Sequence, residues 1–189
     1  GLALGQGLFA VDDPSGVSLF LLASILLSVS LIPILLTEIK APETDVQESL
    51  GLQALWKASP SGVATIGLSG LASAGFFGVG TIYAVKVGLS VSETALFMTL
   101  FIGFGASSQW PLGWLSDKID RRKVILLCCA SVISICIVLA SFEFTNTILL
   151  ILSALVGAFT LPLYSLGVAQ ANDRLEPKQM ISASGTIVL

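Results

Sequence analysis

Six charged side chains crowd into one run, Gly113-Trp114-Leu115-Ser116-Asp117-Lys118-Ile119-Asp120-Arg121-Arg122-Lys123, of a chain in which only 11% of residues are charged. Asp117 is placed to accept from a basic side chain or from a helix N-terminus. Arg121, Arg122 and Lys123 open the next apolar stretch, where cations oppose the helix macrodipole. Asp117, Asp120 or lipid phosphates must therefore compensate them. Gly113 would let a neighbouring helix approach closely. A dense cationic loop by itself is generic; the fixed order of Gly, Leu, Asp and a downstream Arg-Arg is more specific.

Other reactive constellations are absent from the sequence. It has no His, and its three cysteines, Cys128, Cys129 and Cys136, lie within one apolar run without metal-ligand spacing. They read as small packing residues. Neither a carboxylate pair nor a metal cluster sits in an apolar stretch, so no enzyme chemistry and no cofactor or metal is expected. The candidates for lining a substrate cavity are uncharged: Gln109 first, then Thr160, Tyr164 and Tyr83, with Trp110 beside them. A buried amide in lipid is expensive, so Gln109 should face a cavity or another helix.

The elements that must hold these residues follow from hydropathy. The chain is 54% apolar over 189 residues, with a mean hydropathy of +0.95, whereas soluble domains carry roughly 25% charged residues. Five runs, Val17–Thr37, Ser61–Val85, Ala95–Ser116, Val124–Phe142 and Thr147–Ala169, contain no Asp, Glu, Lys, Arg or His. At 1.5 Å per residue each crosses a hydrocarbon core of about 30 Å. Backbone amides in lipid must be satisfied within the segment, which makes these runs helices. The lack of period-two alternation excludes a membrane β-barrel. The expected fold is therefore all-α, a polytopic transmembrane helix bundle.

Gly1–Val11 reads as the tail of a preceding span ending in the turn 12–16, and 180–189 as the start of a further one. The intact protein should then hold at least seven spans. Residues 38–60 form a polar link in which Leu52, Leu55 and Trp56 fall at helical spacing beside Lys57, suited either to the headgroup layer or to a plain linker. Alternating the spans across the bilayer puts eight of the nine Lys and Arg residues on one side and leaves only Lys86 on the other. That asymmetry assigns loops 38–60, 116–123 and 170–179 to the cytoplasm and the protein to the cell inner (plasma) membrane. No Lys/Arg-dense stretch suggests nucleic acid.

Within Ser61–Val85, Gly70, Ala74 and Gly78 form an i, i+4, i+8 stripe that favours tight helix contact. Pro162 should kink its span.

The ordered loop resembles the cytoplasmic signature of the major facilitator superfamily, G-x-L-a-D-r-x-G-r-r/k. Gly113, Leu115, Asp117, Arg121 and Arg122 match it, Lys118 is a conservative stand-in, and Asp120 stands where the signature has its second glycine. The stretch 171–177 is similar to the loop after the tenth helix in a bacterial subgroup. The resemblance implies an incomplete superfamily bundle, about helices six to ten with remnants of five and eleven, and 38–60 as the link between its halves. It implies secondary active transport of a small solute by alternating access. The signature residues would act on conformational switching. The implied partners are the lipid bilayer, the solute, a coupling ion where there is one, and a missing N-terminal helical half of the same chain. A proton-coupled carrier commonly needs an ionisable group in the membrane, so any such carboxylate would belong to that missing half. The rival reading is a non-transporting polytopic protein, a sensor or assembly factor, which would have no need for the ordered signature.

Overall fold

The computed structural model describes residues 17–36, 51–176, 180, 183, 185 and 186. The expectations for 1–16, for most of the link and for most of the segment after 176, including Lys40 and Lys178, lie outside the described residues. Among the described residues the bounded helices are, in order, α1 (Ser18–Leu35), α2 (Leu52–Ala58), α3 (Pro60–Lys86), α4 (Val91–Lys118), α5 (Arg121–Ser141) and α6 (Asn146–Asn172). No strand occurs among the described residues, so the bundle is all-α.

Helices α3 to α6 are long and apolar enough to cross a membrane. Helix α1, at 18 residues, is shorter than the run read from sequence. Elsewhere the helices overrun the apolar runs, and local capping explains why. Ser90 accepts from the Glu93 amide while the Glu93 carboxylate accepts from the Ser90 amide, a capping box that starts α4 a turn before its apolar run. Pro60 takes the first turn of α3, where its missing N–H costs nothing. Gly88, at φ +92°, turns the chain out of α3.

Several serine hydroxyls inside the helices are satisfied within their own helix. Ser24 donates to the Phe20 carbonyl at 2.9 Å, and Ser134 to the Ala130 carbonyl at 2.8 Å. Leu126, Leu127, Ile133 and Ile137 leave one side of α5 apolar and exposed, the face a bilayer covers.

Helix α6 is the centre. It packs most extensively against α4, then against α3 and α5. The α4–α6 pair runs parallel, and its seam is built from glycine and phenylalanine. A methyl added at Gly157 would land on the Phe101 carbonyl; one at Gly105 would lie 2.8 Å from the Gly157 carbonyl. Only glycine permits that approach. Ser153 donates to the Phe97 carbonyl at 2.7 Å, while Phe76 of α3 stacks on Phe101 at 3.7 Å between centroids. Helix α3 meets the far end of α6 through Gly62 against Ala171 and Gly167 against Ile66.

Among the described residues nothing packs on the stripe of α3. A Cβ at Gly67, Gly70, Gly75 or Gly78 would meet nothing within 4 Å. The close approaches fall instead at Gly62, Gly105, Gly157 and Gly167. In helix α2, Leu55 is buried under Leu175 and Ala183, while Leu52 and Trp56 stay exposed. Pro162 is fully buried in a helix that continues to Asn172.

Candidate functional site

The charged run folds into the connection between α4 and α5. The α4 helix ends at Lys118, whose ammonium lies 3.9 Å from the centroid of the Trp114 ring one turn back. Ile119 is extended, and Asp120 caps α5 by accepting from the Arg122 amide at 3.0 Å. Asp120 sits at φ −54°. The signature's second glycine therefore has no left-handed position to fill here, and aspartate supplies a cap in its place.

Arg121 is the hub. Its Nη2 donates to Asp117 Oδ1 at 3.0 Å, and its Nε lies 3.2 Å from Asp173 Oδ2, close enough for an ion pair but out of line for a hydrogen bond. One guanidinium, its side chain 16% exposed, thus ties the end of α4 and the end of α6 to the start of α5. Both carboxylates stay open to solvent, Asp117 at 70% and Asp173 at 53%. Such pairs contribute about 0.2–1 kcal/mol each. They can open and re-form without unfolding the bundle. Asp117 compensates Arg121 as expected, Asp120 caps the α5 backbone, and Asp173 is an additional partner.

Behind the hub, Leu115 packs beside the cluster of Val124, Ile125, Cys128, Leu163 and Leu166. Cys128 is buried in this core, whereas Cys136 is exposed. Ser116 is buried and donates to the Gly113 carbonyl at 2.7 Å. The Arg122 side chain is exposed. Among the described residues no helix approaches Gly113: a Cβ there finds nothing within 4 Å. It borders instead a cleft of about 550 Å³ lined also by Gln109, Ser116, Asp117, Arg121 and Ser165.

The four cavity candidates do not converge. Gln109 lines this cleft beside the charged hub. Thr160 is buried in the body of α6, and its hydroxyl has no partner among the described residues. Tyr164 is exposed, and Tyr83 is half-buried at the other end of the bundle near Lys86 and Glu143. Trp110 is among the most exposed side chains.

That other end is held differently. Asn146, at the start of α6, donates to Glu93 Oε1 at 2.8 Å, joining the starts of α4 and α6. Sequence reasoning missed this link, the Arg121–Asp173 pair and the serines that cross the seam. Their only signal was chemical type, and each pair lies some fifty residues apart along the chain.

Comparison with known proteins gives one family. The model of the Major Facilitator Superfamily matches residues 1–189. Among curated relatives, an MFS-type transporter YcaD of Salmonella arizonae is 27% identical over all of this chain and 49% of its own length. The proteins of the same name from Escherichia fergusonii and Salmonella paratyphi B are 22% and 26% identical over the same shares. The chain thus spans about half the length of the curated relatives it matches. No solved structure matches it.

Proposed function

Because the chain belongs to the major facilitator superfamily, we propose that it forms the helix-six-to-ten region of a secondary active transporter. That transporter moves a small solute across the plasma membrane by alternating access. In this reading the end carrying Lys57, Lys118, Arg121, Arg122, Lys123 and Arg174 faces the cytoplasm, as the bias of cations requires. An N-terminal helical half completes the substrate path. Helices α3 to α6 carry their Asp, Glu, Lys and Arg residues only in end turns, so an ion-coupling carboxylate in mid-membrane would come from that half.

The observation that carries the proposal is the Arg121 hub. A switch needs contacts that hold one arrangement and release it at modest cost, about 1–3 kcal/mol of coupling in typical cases. Two exposed carboxylates on one guanidinium meet that requirement, and they join three helix ends that alternating access would move apart. Gly113, Leu115, Asp117, Arg121 and Arg122 are then switch residues, and Gln109, beside them in the cleft, is the cavity candidate best placed to sense the change.

A solute-uptake screen with the full-length gene product in a transport-deficient host tests the reading. Uptake of at least one solute is expected, and Asp117→Asn should lower it by up to about fivefold, the worth of an exposed ion pair of about 1 kcal/mol, with membrane insertion unchanged. Uptake untouched by Asp117→Asn would remove the switch role. Loss of a signalling or assembly phenotype with no uptake would favour a sensor or assembly factor.

A further inference from the structure

The seam and the charged hub are joined by a feature that neither the signature nor the hub explains. Proline has no N–H, so Pro162 leaves the carbonyl four residues earlier, that of Ala158, without its helical donor. The structure supplies a donor from the next helix. Ser108 Oγ of α4 lies 2.7 Å from the Ala158 oxygen, nearer than the 3.0 Å to Gly105 O in its own helix. With one hydroxyl proton to give, Ser108 favours the shorter, interhelical bond.

The position of this bond along the helices gives it a mechanical meaning. On one side lies the seam, closed by Phe97 against Ser153 and Phe101 against Gly157. On the other side each helix meets a proline within one turn, Pro111 in α4 and Pro162 in α6. Beyond the prolines run the two segments that end at Asp117 and Asp173, the carboxylates on Arg121. Two residues before Pro162, the Thr160 hydroxyl is buried without a partner among the described residues. An orphaned buried hydroxyl is costly, so this stretch of α6 is under less than full hydrogen-bond satisfaction beside its proline.

We propose that Ser108 is a positioning residue for the transport cycle. Its hydroxyl latches the carbonyl that Pro162 frees, and its release lets the last three turns of α6 bend away from the fixed seam as the Arg121 pairs open. The role in transport rests on the transporter reading; the latch itself rests on the Ser108–Ala158 bond.

The test is a double-mutant cycle on the full-length protein in nanodiscs, read by hydrogen exchange of the amides of 159–172 and by uptake. Ser108→Ala should speed exchange there about three- to eighteenfold, the effect of losing a membrane hydrogen bond of average to upper strength, and should alter the uptake rate. Ser108→Thr, which keeps the hydroxyl, should restore both. In a Pro162→Ala or Pro162→Gly background the N–H returns and occupies the Ala158 carbonyl, so Ser108→Ala should then change exchange little. Equal acceleration in both backgrounds, or none in either, would overturn the latch. Normal uptake by Ser108→Ala alongside faster exchange would overturn its part in transport. Exchange needs no substrate, so a failed cycle counts against the latch alone, whereas lack of uptake by the wild type counts against the transporter reading alone.

Discussion

The middle of the α4–α6 pair and its basic end use opposite means to hold the same two helices. In the middle, Gly105 and Gly157 bring the backbones together, Ser153 donates across the gap, and Phe76 and Phe101 close it. A side chain added at either glycine would clash with the facing helix. At the basic end no backbone approach constrains Gly113; Leu112 and Leu115 share an apolar cluster with Leu163 and Leu166, and beyond it the helices are joined through one guanidinium and two solvent-exposed carboxylates. The contrast separates rigidity from adhesion. Packing against a carbonyl fixes a distance, whereas exposed ion pairs set only a preference that a conformational change can reverse.

Substitutions can break this contrast in graded steps. The largest effect is expected for Gly157→Val, which forces side-chain atoms into the Phe101 backbone. Overpacking costs about 1–3 kcal/mol where neighbours adjust, and a backbone neighbour places this variant at the upper end. Thermal unfolding in detergent and the yield of folded protein in membranes would register it; a normal midpoint would mean that the seam is softer than its geometry. Ser153→Ala removes one interhelical hydrogen bond and should cost about 0.6 kcal/mol, the average for such bonds in a membrane protein. A loss of several times that amount would make the serine, and not the glycine contact, the main tie.

At the basic end, Asp173→Asn should lower stability by no more than about 0.5 kcal/mol, in keeping with an exposed ion pair. Its effect should fade as salt rises. A salt-independent loss would place Arg121 in a drier setting than described. Least of all should come from Gly78→Ala, within about 0.5 kcal/mol of wild type, since a methyl there meets open space. On the full-length protein a clear loss would reveal a helix seated on the α3 stripe, and that stripe would then join the rigid class.

The charged loop was legible in the sequence because its order is local: Asp117, Asp120 and Arg121 lie within five residues, and helix geometry alone brings Asp117 and Arg121 together at i, i+4. Asp173 was not, since it reaches Arg121 only after α5 and α6 have crossed the bundle and returned. The glycines show the same limit more sharply. A stripe such as Gly70, Ala74 and Gly78 states that a helix could be approached, but not that anything approaches it. Gly157, with only Ser153 at the i−4 position, carries a shorter mark than that stripe and yet bears the tightest contact in the described bundle.

What the sequence by itself determined is the solvent and the class of fold. Long uncharged runs admit only helices in lipid, because every backbone amide must find its partner within the run. The same runs, read with the uneven spread of Lys and Arg, gave an expected orientation. The tertiary structure alone decided which helix is central, which glycines are used, where Gln109, Thr160, Tyr164 and Tyr83 lie, and which carboxylates share Arg121. Inside a bilayer, apolar faces gain little by leaving lipid for protein, so hydropathy no longer distinguishes packed from exposed sides. Close fit and interhelical hydrogen bonds make that choice, and both are properties of pairs of helices that no single helix's sequence contains.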